Sequence, residues 1–161
     1  MPYRCAHCGE IHEGLPDLGF GLPDAIHALS ELERAERAWI SDDLCVLDSA
    51  YFFIRGFIEI PVHGESEGLG IGVWVTQSEA DFLHYQDHFH DEAPAFGPFA
   101  GSLANDIVSY ETRTLHLKTT AHFRRERPRI EVEPTDHPLA RDQRDGITLD
   151  RAWEMVHRYL G

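Results

Sequence analysis

Cys5-Ala6-His7-Cys8-Gly9 opens the chain with two thiols in a C-x-x-C spacing. Cysteines this close bridge one another poorly without strain, whereas two thiolates fit adjacent corners of a tetrahedral Zn²⁺ site. The remaining ligands have to come from elsewhere. His12 lies four residues after Cys8, Cys45 is the only other thiol, and His137 is a more distant imidazole. The expectation is a structural zinc clip on Cys5, Cys8 and Cys45, completed by His12 or His137. A redox C-x-x-C would normally open a helix, and the Gly and Pro that follow here predict a loop instead.

Three further groups carry chemistry. His84-Tyr85-Gln86-Asp87-His88 sits on a predicted helix, where positions i and i+4 share a face. It approaches the inverted zinc-protease motif, but Asp87 stands where glutamate is needed and would place a general base badly. Asp136-His137-Pro138 puts a histidine beside an acid at a helix start, where it can cap, ligate or move protons. Arg55 interrupts the apolar run Phe52-Phe53-Ile54-Arg55-Gly56 and is expected either to face a groove or to pair with Asp43 or Asp48. The expected groove is lined by Arg55, Trp74, His137 and Gln143, although Trp74 itself, like Phe57, reads more as core than as a ligand platform. No nucleophile elbow, Walker sequence or dinucleotide fingerprint is present.

These residues need elements to hold them. Ser30-Glu31-Leu32-Glu33 is a capping box for a helix to about Ile40. A β-rich centre follows, with strands at 44–47, 51–62 (interrupted at Gly56) and 69–76. Ser78 caps a helix to about His90, and residues 93–101 form a Pro/Gly loop. Strands are predicted at 114–124 and 129–132, a short helix at 138–144, and a last helix, capped by Thr148, over 149–160. Strands joined by short connections predict an α+β fold with a mainly antiparallel sheet and flanking helices. The whole is read as a single domain, 1–161, with residues 1–22 as a zinc-knuckle-like segment packed on the body. A chain of 161 residues buries about 70% of its unfolded surface and needs no staple, so zinc would fasten the segment rather than create the fold.

Charge narrows the partners. Lys+Arg number 14 and Asp+Glu 28, for a net charge of −14. Residues 1–50 hold 3 basic and 10 acidic side chains, residues 51–110 hold 1 and 9, and residues 111–161 hold 10 and 9. Such a field repels nucleic-acid phosphate and anionic membrane and attracts a basic protein. The group Arg124, Arg125, Arg127 and Arg129 is expected to pair internally with the acidic two-thirds. No long apolar run and no signal-peptide pattern appear, and the odd cysteine count argues against a disulfide framework, so a cytoplasmic location is expected.

Together the residues resemble an uncharacterised bacterial family, domain of unknown function 2199. The matching pieces include Cys5-x-x-Cys8-Gly9-x-x-His12, Asp42-Asp43-Leu44-Cys45, Phe53-Ile54-Arg55-Gly56 and Gly72-Val73-Trp74-Val75. The series closes with Thr135-Asp136-His137-Pro138-Leu139-Ala140-x-x-Gln143-x-x-Gly146-Ile147. Ile71 departs from it, standing where tryptophan is expected. The resemblance implies a bacterial cytoplasmic protein and groups Cys5, Cys8, His12, Cys45 and His137 as one constellation; it brings no established activity. The reading is a zinc-binding acidic module for a basic protein partner. The alternative is a small metal-dependent enzyme with an open Cys/His zinc site and His137 as acid/base.

Overall fold

A computed structural model of the chain describes residues 14–161 in full and, before them, the backbone of β1 (Tyr3–Arg4) and β2 (Ile11–His12), which pair antiparallel. Cys5 and Cys8, and the side chain of His12, lie outside the described residues, and with them the knuckle expected there.

The body is built on β6 (Tyr51–Ile60) and β7 (Leu69–Gln77), which pair antiparallel along their full lengths. β6 runs unbroken through Gly56, where an interruption is expected from sequence. Its first half pairs with β5 (Leu44–Leu47), and its second half meets β10 (Arg129–Val132) in parallel at Phe57. Gly56 sits at this change of neighbour, and a side chain there would collide with Ile130. β9 (Lys118–His122) pairs antiparallel with both β10 and β8 (Phe99–Ser102). β3 (Leu18–Gly19) adds to β7 in parallel, and β4 (Ala38–Ile40) adds to β5.

The sheet is therefore mixed, correcting the mainly antiparallel one expected. Both parallel joins link segments far apart in sequence, which local turn signals do not encode. The sheet also curls back on itself. Leu103, just past β8, bridges Val75 of β7, and the Ala104 N–H donates to the Trp74 carbonyl at 2.8 Å. Gly101 passes so close to the Thr76 carbonyl that any side chain there would collide with it.

The helices follow their caps. α1 (Asp24–His27) begins after Pro23. α2 (Glu31–Arg37) has the reciprocal Ser30–Glu33 capping box, but ends three residues before the expected boundary because Trp39 and Ile40 pair with Val46 and Cys45. α3 (Glu79–Asp87) is capped by Ser78, α4 (Pro138–Asp145) by His137 and α5 (Leu149–Leu160) by Thr148. One face of the sheet buries Ile54, Ile58, Val73 and Val75 together with Phe82 of α3, Leu139 of α4 and Trp153 of α5. The other face carries a smaller core of Ile26, Cys45, Leu47, Phe53, Trp74 and Ala104.

α4 is tied to the sheet by one side chain. Gln143 Nε2 donates to the Ile130 carbonyl at 2.8 Å, and its Oε1 accepts from the Val132 N–H at 2.7 Å. The amide thus stands in for a neighbouring strand along β10. Gln143→Leu leaves both main-chain groups unmatched and should cost about 2 kcal/mol of unfolding free energy in urea. An unchanged midpoint would show that this amide does not hold the edge.

Candidate functional site

The expected groove does not assemble as one site. Arg55 and Trp74 do meet: the guanidinium lies 5.5 Å from the indole centroid, and both side chains donate to the Phe20 carbonyl. Arg55 also donates to the Asp42 carbonyl at 3.0 Å. Neither carboxylate expected to pair with it does so, because each is taken by another arginine. Asp43 accepts from Arg127 at 2.6 Å, and Asp48 holds Arg37 through two bonds of 2.8 and 2.9 Å. Arg55 Nε is buried with no partner among the described residues. The Arg127–Asp43 pair is one of the internal pairings expected of the arginine group.

His137 and Gln143 lie instead on α4. Both His137 ring nitrogens are engaged by main chain: Nδ1 accepts from the Leu139 N–H at 3.0 Å, and Nε2 meets the Arg113 carbonyl at 3.1 Å. The ring serves as a helix cap, with a main-chain partner at each nitrogen. His84 and His88 meet with ring centroids 4.6 Å apart and planes tilted by 37°, with Phe96 against both rings. Cys45 is fully buried in the smaller core. Burial pushes its thiol up from 9.0 to about 11, against weaker opposing effects of Ser41 and Arg55. Among the described residues no group of three or more His, Cys, Asp or Glu is placed to hold a metal.

A different constellation emerges on the face that carries Trp74. A cavity of about 500 Å³ opens between α1, the β5–β6 hairpin and the loop running from Leu103 to Leu117. Ala28, Leu47, Phe53, Leu103 and Leu115 supply its apolar wall, with Tyr51 exposed beside it. Its polar lining is Asp24, Thr76, Arg113 and His116.

The loop has no regular structure, yet side chains fix it throughout. Asn105 is fully buried; its Oδ1 accepts from the Trp74 N–H at 2.8 Å, and its Nδ2 donates to the Leu22 carbonyl and to Asp24 Oδ1. Asp24 Oδ2 accepts from the Asp106 N–H at 2.8 Å, and Asp106 in turn accepts from the Thr114 N–H. On the outer side the Tyr110 hydroxyl donates to Asp142 at 2.6 Å, which also receives Arg151, and the Ser109 hydroxyl donates to the Met155 carbonyl. Burial, with Asp142 beside it, pushes the Tyr110 phenol well above its ordinary range.

Backbone strain gathers here as well. The non-glycine residues with left-handed φ among those described are Asp48 (55°), Ser49 (54°) and His116 (75°). His116 lines the cavity, and the other two form the hairpin turn between the lining residues Leu47 and Tyr51. Such conformations persist only where the surroundings over-determine them. The Arg37–Asp48 pair and the His116 N–H bond to the Leu103 carbonyl supply that hold.

Sequence reasoning missed this site because its walls come from four separated stretches. The signals present were Pro23-Asp24, readable as a helix opening, and the pair Asn105-Asp106, readable as a turn; neither points to a cavity.

The buried thiol gives a pH test. An acid whose folded value exceeds its unfolded one keeps its proton more tightly in the native state. Its contribution is whole below about pH 9 and is lost as the pH rises toward about 11. Between those limits wild type should lose about 2 kcal/mol of unfolding free energy relative to Cys45→Ala. Parallel stability curves for the two proteins would contradict a buried, protonated thiol.

No helix among the described residues is long and apolar enough to cross a membrane. No curated protein and no solved structure matches the chain. A family model described as an uncharacterized protein conserved in bacteria (DUF2199) matches residues 4–147, from the segment before Cys5 to Ile147 at the end of the His137–Gln143 block. The chain belongs to that bacterial family.

Proposed function

We propose that the protein is a non-enzymatic binding module whose site is the apolar cavity between α1, the β5–β6 hairpin and the Leu103–Leu117 loop. The observation that carries this reading is a mostly apolar cavity whose lining includes the left-handed residue His116, with left-handed Asp48 and Ser49 in the turn that joins the lining residues Leu47 and Tyr51. Strain of this kind concentrates at ligand clamps. The volume falls within the range of small-molecule sites, about 300–1,000 Å³, and the lining has their composition, mostly apolar with a few polar groups. The side-chain bonds that fix the loop favour a pre-formed site, which lowers the ordering cost of binding.

Within this reading, zinc on Cys5 and Cys8 fastens the N-terminal segment and takes no part in the cavity; elemental analysis of untagged protein tests it, and metal-free protein removes it. The charge of −14 supports a second use, docking of a basic protein on the acidic surface. Co-purification from the host that is lost at high salt tests that use, and a chain recovered alone at low salt counts against it.

The cavity is tested with N-phenyl-1-naphthylamine, a neutral apolar fluorophore. Saturable enhancement is expected with wild type and its loss with Ala28→Trp, which fills the cavity from an exposed position just past α1. Methyl NMR shifts on titration should centre on Leu47, Leu103 and Leu115. No enhancement, or shifts spread over unrelated methyls, would overturn the reading.

A further inference from the structure

The polar lining of the cavity is asymmetric. Asp24 is the only carboxylate among the described lining residues, and both its oxygens are committed, Oδ1 to the Asn105 amide and Oδ2 to the Asp106 N–H. Arg113 and His116 are the opposite case. Both are exposed, both line the cavity, and among the described residues neither side chain makes an ion pair, hydrogen bond or ring contact. Arg37, Arg127, Arg144 and Arg151 each meet a carboxylate; of the described arginines without one, Arg113 is the one that lines this cavity.

Main-chain bonds hold both positions in place. The Arg113 carbonyl meets His137 Nε2, and the His116 N–H donates to the Leu103 carbonyl. The guanidinium therefore keeps its N–H donors for something outside the chain, beside an apolar wall of Leu47, Phe53, Leu103 and Leu115.

We propose that the cavity takes an amphipathic organic anion: an apolar body against the leucine and phenylalanine wall, and a single carboxylate head at Arg113 with His116 beside it. This rests on the binding reading above and adds the chemical class of the ligand. A cationic head placed at the same end would face the Arg113 charge and is disfavoured by it.

The test uses three ligands with one chain and different heads: decanoate, decanol and decylamine, titrated by calorimetry against the full chain. Decanoate should bind roughly tenfold more tightly than decanol, and decylamine more weakly than either. In Arg113→Gln the decanoate-to-decanol ratio should fall toward one. The substitution leaves the main-chain bond to His137 in place, so the loop is kept. Arg125→Gln, on the β9–β10 connection, makes the same change in net charge and should leave the ratio as it is. Equal binding of decanoate and decanol to wild type, or a ratio that falls equally in both variants, would overturn the anion assignment while leaving the cavity as a binding site. Failure of all three ligands to bind would overturn the binding reading itself.

Discussion

One buried amide joins the parts of this molecule that sequence keeps apart. Asn105 is fully buried, and its side chain makes three bonds to two separate segments: the Trp74 N–H of β7, and the Leu22 carbonyl and Asp24 carboxylate where the chain enters α1. Both Nδ2 hydrogens are matched and Oδ1 has a donor. A network so fully satisfied in a low-dielectric interior fixes one arrangement, because an unmatched member costs about 1–3 kcal/mol. From it follow the position of α1 over the second face, the closure of the sheet past β8, and the shape of the cavity between them.

The block from His137 to Ile147 works at the other side of the same loop. His137 caps α4 and meets the Arg113 carbonyl; Gln143 covers the edge of β10; Ile147 donates its N–H to the Pro61 carbonyl, and His63 returns a bond to Ile147. Gly146, at φ 81°, lies where a side chain would press on the His63 ring. His137 and Gln143, two of the residues that stand out in sequence, thus serve here as scaffold. Their contribution to a site is indirect: they place the loop that carries Arg113 and His116. The Tyr110–Asp142–Arg151 cluster reinforces that placement from α4 and α5.

Much of the framework was legible in advance. Ser30, Ser78 and Thr148 cap the helices they announce, and β5, β7 and β10 fall where β-branched runs mark them. What escaped has a common physical origin in long-range pairing. Trp39 and Ile40 leave the helical pattern because Val46 and Cys45 offer a strand partner. Phe99–Ser102, inside a Pro/Gly stretch, becomes a strand because β9 lies alongside. Arg55 finds carbonyls rather than the carboxylates near it in sequence, because Arg127 and Arg37 arrive from elsewhere to take Asp43 and Asp48. The cavity was illegible for the same reason: nothing local says that residues 24–28, 47–53, 76 and 103–116 share a wall.

The dependence on Asn105 is open to direct measurement by native-state hydrogen exchange on wild type and Asn105→Leu, which keeps the volume and removes the amide. Protection should fall first in residues 22–28 and 103–117 and at the Trp74 N–H, while the β9–β10 pairing keeps its slow exchange. Uniform loss of protection across both faces of the sheet, or none at residues 103–117, would contradict the central role of that one side chain.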